Sequence, residues 1–237
     1  MMLQIAWRNV LRNRKRSAII VVAILFGLWG GLVASGVSFG FSYDTVSSAI
    51  DTRLGHIQIH APNYRENRTI RDTLAGAARA MRLARNTPGV AGVAGRLVLE
   101  GMAASAETST GVAILGVDAA AETTATTLKQ RMVEGTFDFG GRGHRTVVGG
   151  DLAKRLGVRL GSKIVLTTQD AHGTIVGASY RISGLFRTDS KTFDETAVFV
   201  DRHALATLVG VGGALHEVVI RLEDPAAVDS VASRLRA

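Results

Sequence analysis

The chain has 237 residues, no cysteine, 46% hydrophobic and 5% aromatic side chains, and a formal net charge of +8. A disulfide framework and a thiolate metal site are therefore excluded. Five of the 28 basic side chains (Arg8, Arg12, Arg14, Lys15 and Arg16) precede residue 17, and all 20 carboxylates follow residue 43. The basicity is thus local, and with so few aromatics it does not make the basic, aromatic-interleaved face that nucleic acid requires.

Met1–Arg16 reads as a short cytoplasmic helix lying on the membrane surface. Leu3, Trp7, Val10 and Leu11 share one face, and Arg8, Arg12 and Arg16 another. Trp7 suits head-group depth and serves as an interface anchor. Ser17–Phe41 then runs without a charge. A bilayer core needs roughly 20 apolar residues, so a transmembrane helix is expected over residues 17–43. The basic flank Arg8, Arg12, Arg14, Lys15 and Arg16 keeps that end cytoplasmic by the positive-inside rule and attracts anionic lipid. A cleavable signal peptide is the other reading, with Ala34-Ser35-Gly36 as small residues for cleavage. The apolar region is, however, about twice the usual length of roughly 7–15 residues. Ala23, Gly27, Gly31 and Ser35 recur every fourth residue, a stripe that lets another membrane helix approach. Gly36-Val37-Ser38-Phe39-Gly40 matches the hydrolase elbow G-x-S-x-G, but that motif works only on a sharp strand-to-helix turn, so it is set aside.

Beyond Asp44 the pattern becomes α+β. Leu54–His60 alternates as a strand. His56 and His60, four apart, would stand roughly 13 Å from each other there, and two surface histidines are expected rather than a metal pair. Pro62 ends the strand. Arg71–Asn86 reads as a helix stopped by Thr87-Pro88-Gly89. Val90–Met102 is extended, and Thr110–Val117 is a strand closed by Asp118. Residues 119–145 are weakly patterned, with Lys129–Glu134 closing a helix and Gly135–Arg145 a glycine-rich loop. Thr146–Gly149 is a short strand. Asp151–Leu156 reads as a helix capped by Asp151 and stopped by Gly157. Lys163–Thr168 pairs antiparallel with Tyr180–Phe186 around a tip at Gln169–Ser179. Ala197–Val200 is a strand, Asp201 caps a helix through Val209, and His216–Leu222 is a strand. Asp224-Pro225 starts a last helix. It has no stop signal, so the natural chain is expected to continue past Ala237.

No G-x-x-x-x-G-K-[S/T] loop and no metal-ligand spacing occurs in the sequence. Asp189, Asp194 and Glu195 are close in sequence, but a solvated polar loop accounts for them. No catalytic constellation, cofactor site or metal site is assigned, and the chain is not read as an enzyme.

The order of features resembles a known family. A-W-R-N-V-L-R-N-R-K-R at Ala6–Arg16 leads into one span, followed by L-G-H-I-Q-I-H at Leu54–His60, N-T-P-G-V at Asn86–Val90 and I-L-G-V-D at Ile114–Asp118. V-V-G-G-D-L-A-K-R-L-G-V-R-L-G at Val147–Gly161 and I-S-G-L-F-R-T at Ile182–Thr188 complete it. Together these resemble the N-terminal half of an ABC transporter permease of the macrolide-exporter and lipoprotein-releasing type.

The resemblance implies an α+β fold. One N-terminal transmembrane helix precedes an extracytoplasmic domain with a porter-like α+β subdomain (44–118 and 214–237) and an inserted second α+β subdomain (119–213). It implies a separate ABC ATPase subunit, a second permease copy or paralogue, membrane lipid around the span, and a lipoprotein, peptide or lipid substrate. It places the protein in the plasma (inner) membrane, with the N-terminus cytoplasmic and the main domain periplasmic. Ala119 and Ser162 stand where the family often has proline and aspartate, and the Gln169–Ser179 hairpin is short for a chaperone-recruiting hook. The alternative is a single-span membrane-anchored binding or sensing domain without a transport role.

Overall fold

The computed structural model describes residues 12, 14–62, 64, 69–140 and 144–236, apart from the side chains of 39–46. The chain divides into two units, Met1–Ser47 and Ser48–Ala237.

In the first unit one helix dominates. α1 runs Arg14–Ala49, longer at both ends than the expected 17–43, because no glycine turn or proline interrupts it before Gly55. Its Arg14–Ser38 stretch has mean hydropathy 2.4 and is long and apolar enough to cross a membrane. It is apolar on all sides, with Phe26 68% and Leu32 70% exposed within the chain, as for a helix whose solvent is lipid. Arg14, Lys15 and Arg16 are exposed and lie in its first turn. Arg12 is exposed too, whereas the interfacial helix with Trp7 and Arg8 lies outside the described residues. Residues 36–40 are helical, so the G-x-S-x-G match has no strand-to-helix turn.

The second unit opens with a π-helical turn, Ile50–Leu54. Gly55 ends it at φ +65, where a Cβ would lie 2.5 Å from Val219 Cγ1 and 2.9 Å from the Ile220 carbonyl oxygen. Then follow β1 (Ile57–His60), α2 (Ala77–Arg85), β2 (Val90–Ala104), β3 (Ser109–Val117) and α3 (Ala119–Ala125). A 3-10 turn at Leu128–Arg131 precedes β4 (Met132–Gly135), β5 (Arg145–Gly149) and α4 (Gly150–Arg155). β6 (Lys163–Gln169), β7 (Ile175–Phe186), α5 (Lys191–Thr196), β8 (Ala197–Asp201) and α6 (Arg202–Val209) come next. β9 (Glu217–Leu222), a 3-10 turn at Pro225–Ala227 and α7 (Val228–Arg236) end it.

The strand β2 organises this unit. Its first half pairs with β9, which pairs with β1, making a three-stranded antiparallel sheet. Alternate residues of β9 face opposite ways. Val218 and Ile220 pack with Ala84 of α2 and Val231 of α7, while Val219 packs with Ala125 of α3. The second half of β2 pairs with β3, and the order continues β3-β8-β5-β7-β6 until β6 pairs back onto β2. Six strands thus close into a ring. One of its faces holds Leu97, Ile114, Val148, Ile164, Ile182 and Val198, packed with Leu152 and Leu156 from the α4 segment and Leu205 of α6. The other carries a phenylalanine cluster, Phe137, Phe186, Phe193 and Phe199, in edge-on and tilted contacts with centroids 5.5–6.1 Å apart. β3 pairs with β2 on one side and with β8 on the other.

Several local expectations change. α3 forms in the weakly patterned stretch because Asp118 accepts the Ala121 N–H at 2.9 Å as its cap. Lys129–Glu134 is not the end of a helix. Met132 and Glu134 instead pair with Phe186 and Leu185 on the edge of β7, and sheet pairing overrides weak helical preference. Asp151 does not cap α4, which begins one residue earlier. Its carboxylate meets Lys154 at 2.9 Å and Arg187 at 3.5 Å. The β6–β7 ladder runs to Gln169↔Ile175, so the tip is only Asp170–Thr174 and the hairpin is better formed than expected.

Asp194 corrects the solvated-loop reading. It sits on α5, 1% exposed, and accepts from the Thr188 N–H at 2.9 Å and the Thr188 hydroxyl at 2.8 Å. Burial pushes its carboxyl above the usual range, and the Thr188 hydrogen bonds offset that only in part. A raised native pKa means the folded chain binds the proton more tightly than the unfolded chain. The Asp194 contribution is therefore complete below the ordinary carboxyl pKa and is lost as pH rises through the native one. The unfolding free energy of the wild type minus that of Asp194→Asn should fall across that window in urea titrations. A difference that is flat or rises with pH would refute the assignment.

Candidate functional site

The two sheets exchange partners at one residue pair. Arg96 is the last position of β2 registered with β9, opposite Glu217, and Leu97 is the first registered with β3. Arg96 is 1% exposed, in the middle of a strand whose other charged side chain, Glu100, is exposed. A buried guanidinium persists only if its donors are satisfied. Its Nε donates to Glu122 Oε2 at 3.0 Å and its Nη2 to Glu122 Oε1 at 2.5 Å, a fork on one carboxylate. Its Nη1 donates to Glu217 Oε1 at 2.9 Å and to the Arg53 carbonyl at 2.7 Å. Thr126 adds a hydroxyl donor to Glu122 Oε1 at 3.1 Å. Burial alone would pull the Arg96 pKa down, but Glu122 and Glu217 outweigh it and the net shift is upward. The guanidinium stays charged. One side chain thus joins β2, β9, α3 and the turn Ile50–Leu54.

Other bonds fix the same turn. The Thr127 N–H donates to the Asp51 carbonyl at 2.9 Å, and Arg53 lies over the Phe193 ring at 5.2 Å from its centroid. The Ser48 hydroxyl donates to Asp189, which also holds Arg131 at 3.0 Å.

Beside the cluster is a cleft of about 390 Å³, lined by Arg53, Gln58, His60, Tyr64, Phe193 and Glu217 among others. Tyr64 is stacked between His60 and His216 at 5.4 and 5.1 Å. His216 is fully buried. Its Nδ1 is 2.7 Å from the Val98 carbonyl and its Nε2 is 3.0 Å from the Ile70 carbonyl. The two histidines expected on the surface are instead half-buried. His56 Nδ1 accepts the Leu222 N–H at 3.0 Å, and His60 Nε2 is 3.1 Å from Gln58 Oε1. His56 thus ties the entry of β1 to the end of β9, while the His60 contact stays within β1.

Chemically this arrangement braces. Among the described residues no group of three His, Asp or Glu side chains is placed to hold a metal ion. The sequence reading missed Arg96, Glu122 and Glu217. The available signal was an arginine among the apolar residues of Val93–Leu99, where a charge must find a partner. The stripe Ala23, Gly27, Gly31 and Ser35 lies on exposed α1, and a Cβ added at Gly27 or Gly31 would meet nothing within 4 Å.

Known proteins place this architecture. No curated protein matches the chain. The extracellular domain of the noncanonic ABC-type transporter YknZ from Gram-positive bacteria superposes with a TM-score of 0.51 at 14% identity, covering 73% of this chain and 86% of that one. The periplasmic region of MacB from Actinobacillus actinomycetemcomitans gives 0.52 at 10% identity, covering 76% and 81%. At such identities the likeness shows the fold, an α+β domain preceded here by one apolar helix. The MacB-like periplasmic core domain family matches residues 17–237. Its span takes in most of α1 and all of the second unit, so the resemblance to ABC transporter permeases holds and the chain belongs to the MacB-like periplasmic core domain family.

Proposed function

We propose that the chain is the N-terminal part of an ABC transporter permease subunit. In this reading it transmits conformational change between a separate ATPase and an extracytoplasmic domain during export or release of a lipoprotein, peptide or lipid. The observation that carries the reading is the family match, which begins at residue 17 inside α1 and ends at residue 237. Helix and domain then belong to one inherited unit.

The proposed layout is a cytoplasmic interfacial helix (1–16, anchored by Trp7), a membrane span (17–43), a porter-like subdomain (44–118 and 214–237) and an inserted subdomain (119–213). The N-terminus with Arg8, Arg12, Arg14, Lys15 and Arg16 is cytoplasmic, and the domain lies outside the inner membrane. Ala23, Gly27, Gly31 and Ser35 would receive helices from the same permease or from a second copy or paralogue. The bond from Arg96 to the Arg53 carbonyl supports transmission, since it ties the turn after α1 to β2 and β9.

The test is co-purification of the full gene product with its ATPase subunit, followed by mass measurement and ATP hydrolysis in nanodiscs. A complex of two permeases and two ATPases is expected. Gly27→Leu with Gly31→Leu should lower its yield by about tenfold while leaving the domain folded, because neither site is crowded within the chain. A permease that never retains the ATPase refutes the function. An unchanged yield of the double variant refutes the packing stripe.

A further inference from the structure

A second depression lies away from the Arg96 cluster. It is a groove of about 490 Å³ whose walls include Met81 and Arg85 of α2, Ala120 of α3 and Arg202 of α6, over a floor at Gly92 and Gly95 of β2. The floor is tight. A Cβ at Gly92 would lie 2.1 Å from the Thr124 carbonyl oxygen, and one at Gly95 would lie 2.4 Å from Leu215 and 2.9 Å from the Met81 sulfur. The end of α3 thus lies directly on Gly92, and Leu215 and Met81 on Gly95, so a side chain at either position would displace a wall of the groove.

Arg96, Arg131, Arg145 and Arg187 each meet a carboxylate. Most arginines of the domain, Arg85 and Arg202 in this groove among them, meet no carboxylate among the described residues. The Nε of Arg202 is buried and has no hydrogen-bond acceptor among them. A buried donor left without an acceptor is costly, whereas Arg96, on the strand at the groove floor, makes four hydrogen bonds. The acid on the groove wall, Asp118, is committed to the α3 cap through the Ala121 N–H. The remaining side chains are apolar (Met81, Val90, Ala91, Val93, Ala120 and Ala121) apart from Thr124, whose hydroxyl donates to the Ala121 carbonyl.

We propose that this groove binds a small anionic amphiphile, its phosphate or carboxylate head held by Arg202 and Arg85 and its apolar body laid along Met81 and Ala120. Guanidinium suits either head group, since both offer paired oxygens to its fork. The proposal is independent of the transport reading. It concerns this domain's surface whatever the domain is coupled to.

The chain has five methionines, and among the described ones Met81 alone lines the groove, so methyl-labelled methionine reports the site directly. The full chain in phosphatidylcholine nanodiscs is titrated with hexyl phosphate, hexanoate, hexanol and inorganic phosphate. Saturable movement of the Met81 resonance by hexyl phosphate or hexanoate, at least about tenfold tighter than by hexanol or inorganic phosphate, is the expected result. Arg202→Gln should weaken that binding by about tenfold with Met102 and Met132 unmoved, and Ala120→Phe should abolish it by filling the groove. A silent Met81, equal binding of hexanol, or equal binding of inorganic phosphate overturns the proposal. So does undiminished affinity in both Arg202→Gln and Arg85→Gln.

Discussion

Replacing Arg96 with methionine is expected to destabilise the domain by about 3–5 kcal/mol, the range for removing one member of a buried ion cluster. The loss does not come from packing, since methionine fills much of the same volume. It comes from what remains. Glu122 is fully buried and Glu217 is 9% exposed, and both would face a thioether instead of a guanidinium. The Arg53 carbonyl would lose its donor as well. Urea unfolding followed by circular dichroism reads the total. The second half of the test is Arg96→Met with Glu122→Met. Removing both charges deletes the uncompensated carboxylate on α3, so the pair should be less destabilised than Arg96→Met alone. Additive losses would mean that Arg96 and Glu122 do not act as one unit, and the bracing role would fall.

Much of the scaffold could be read from residue pattern because its signals are local. The span is announced by the absence of charge from Ser17 to Phe41. The β6–β7 hairpin follows from alternation around a glycine at φ +87, and α6 from Asp201 at one end and Gly210 at the other. What escaped was short or distant. α3 has seven residues and α5 six, fewer than two turns, too little for periodicity to register. Asp194 looked solvated because its partner, Thr188, lies in the preceding loop and its backbone packs on Gly149, distant in sequence. Closure of that ring depends on Gly101↔Thr168 and its neighbours, a pairing across 67 positions that no local pattern encodes. The same distance hid the bracing cluster. Arg96 stands 26 residues from Glu122 and 121 from Glu217. Only the anomaly of an arginine among apolar neighbours was visible, without its answer.

Gly92→Ala is expected to cost about 2–3 kcal/mol, toward the upper end for overpacking, although it adds one methyl group. The backbone there is not in a glycine-only conformation, so strain is not the cause. The cause is room. The new Cβ would lie 2.1 Å from the Thr124 carbonyl oxygen and 2.9 Å from the Ala125 nitrogen, backbone atoms at the end of α3 that cannot rotate aside. The helix must move off β2. Because α3 carries Glu122, that displacement loosens the fork on Arg96 four residues along the strand. Coupling between the two sites should therefore exceed additivity error. Gly92→Ala combined with Arg96→Met should lose less than the sum of the single losses, since the first already weakens what the second removes. Gly27→Ala is the control, with nothing within 4 Å of its added Cβ, and should leave the domain's unfolding unchanged. Equal losses at both glycines would show that the effect is a general one of alanine for glycine. A loss confined to Gly92, and smaller on the Arg96→Met background, would show that α3 holds the brace only while it lies against bare strand.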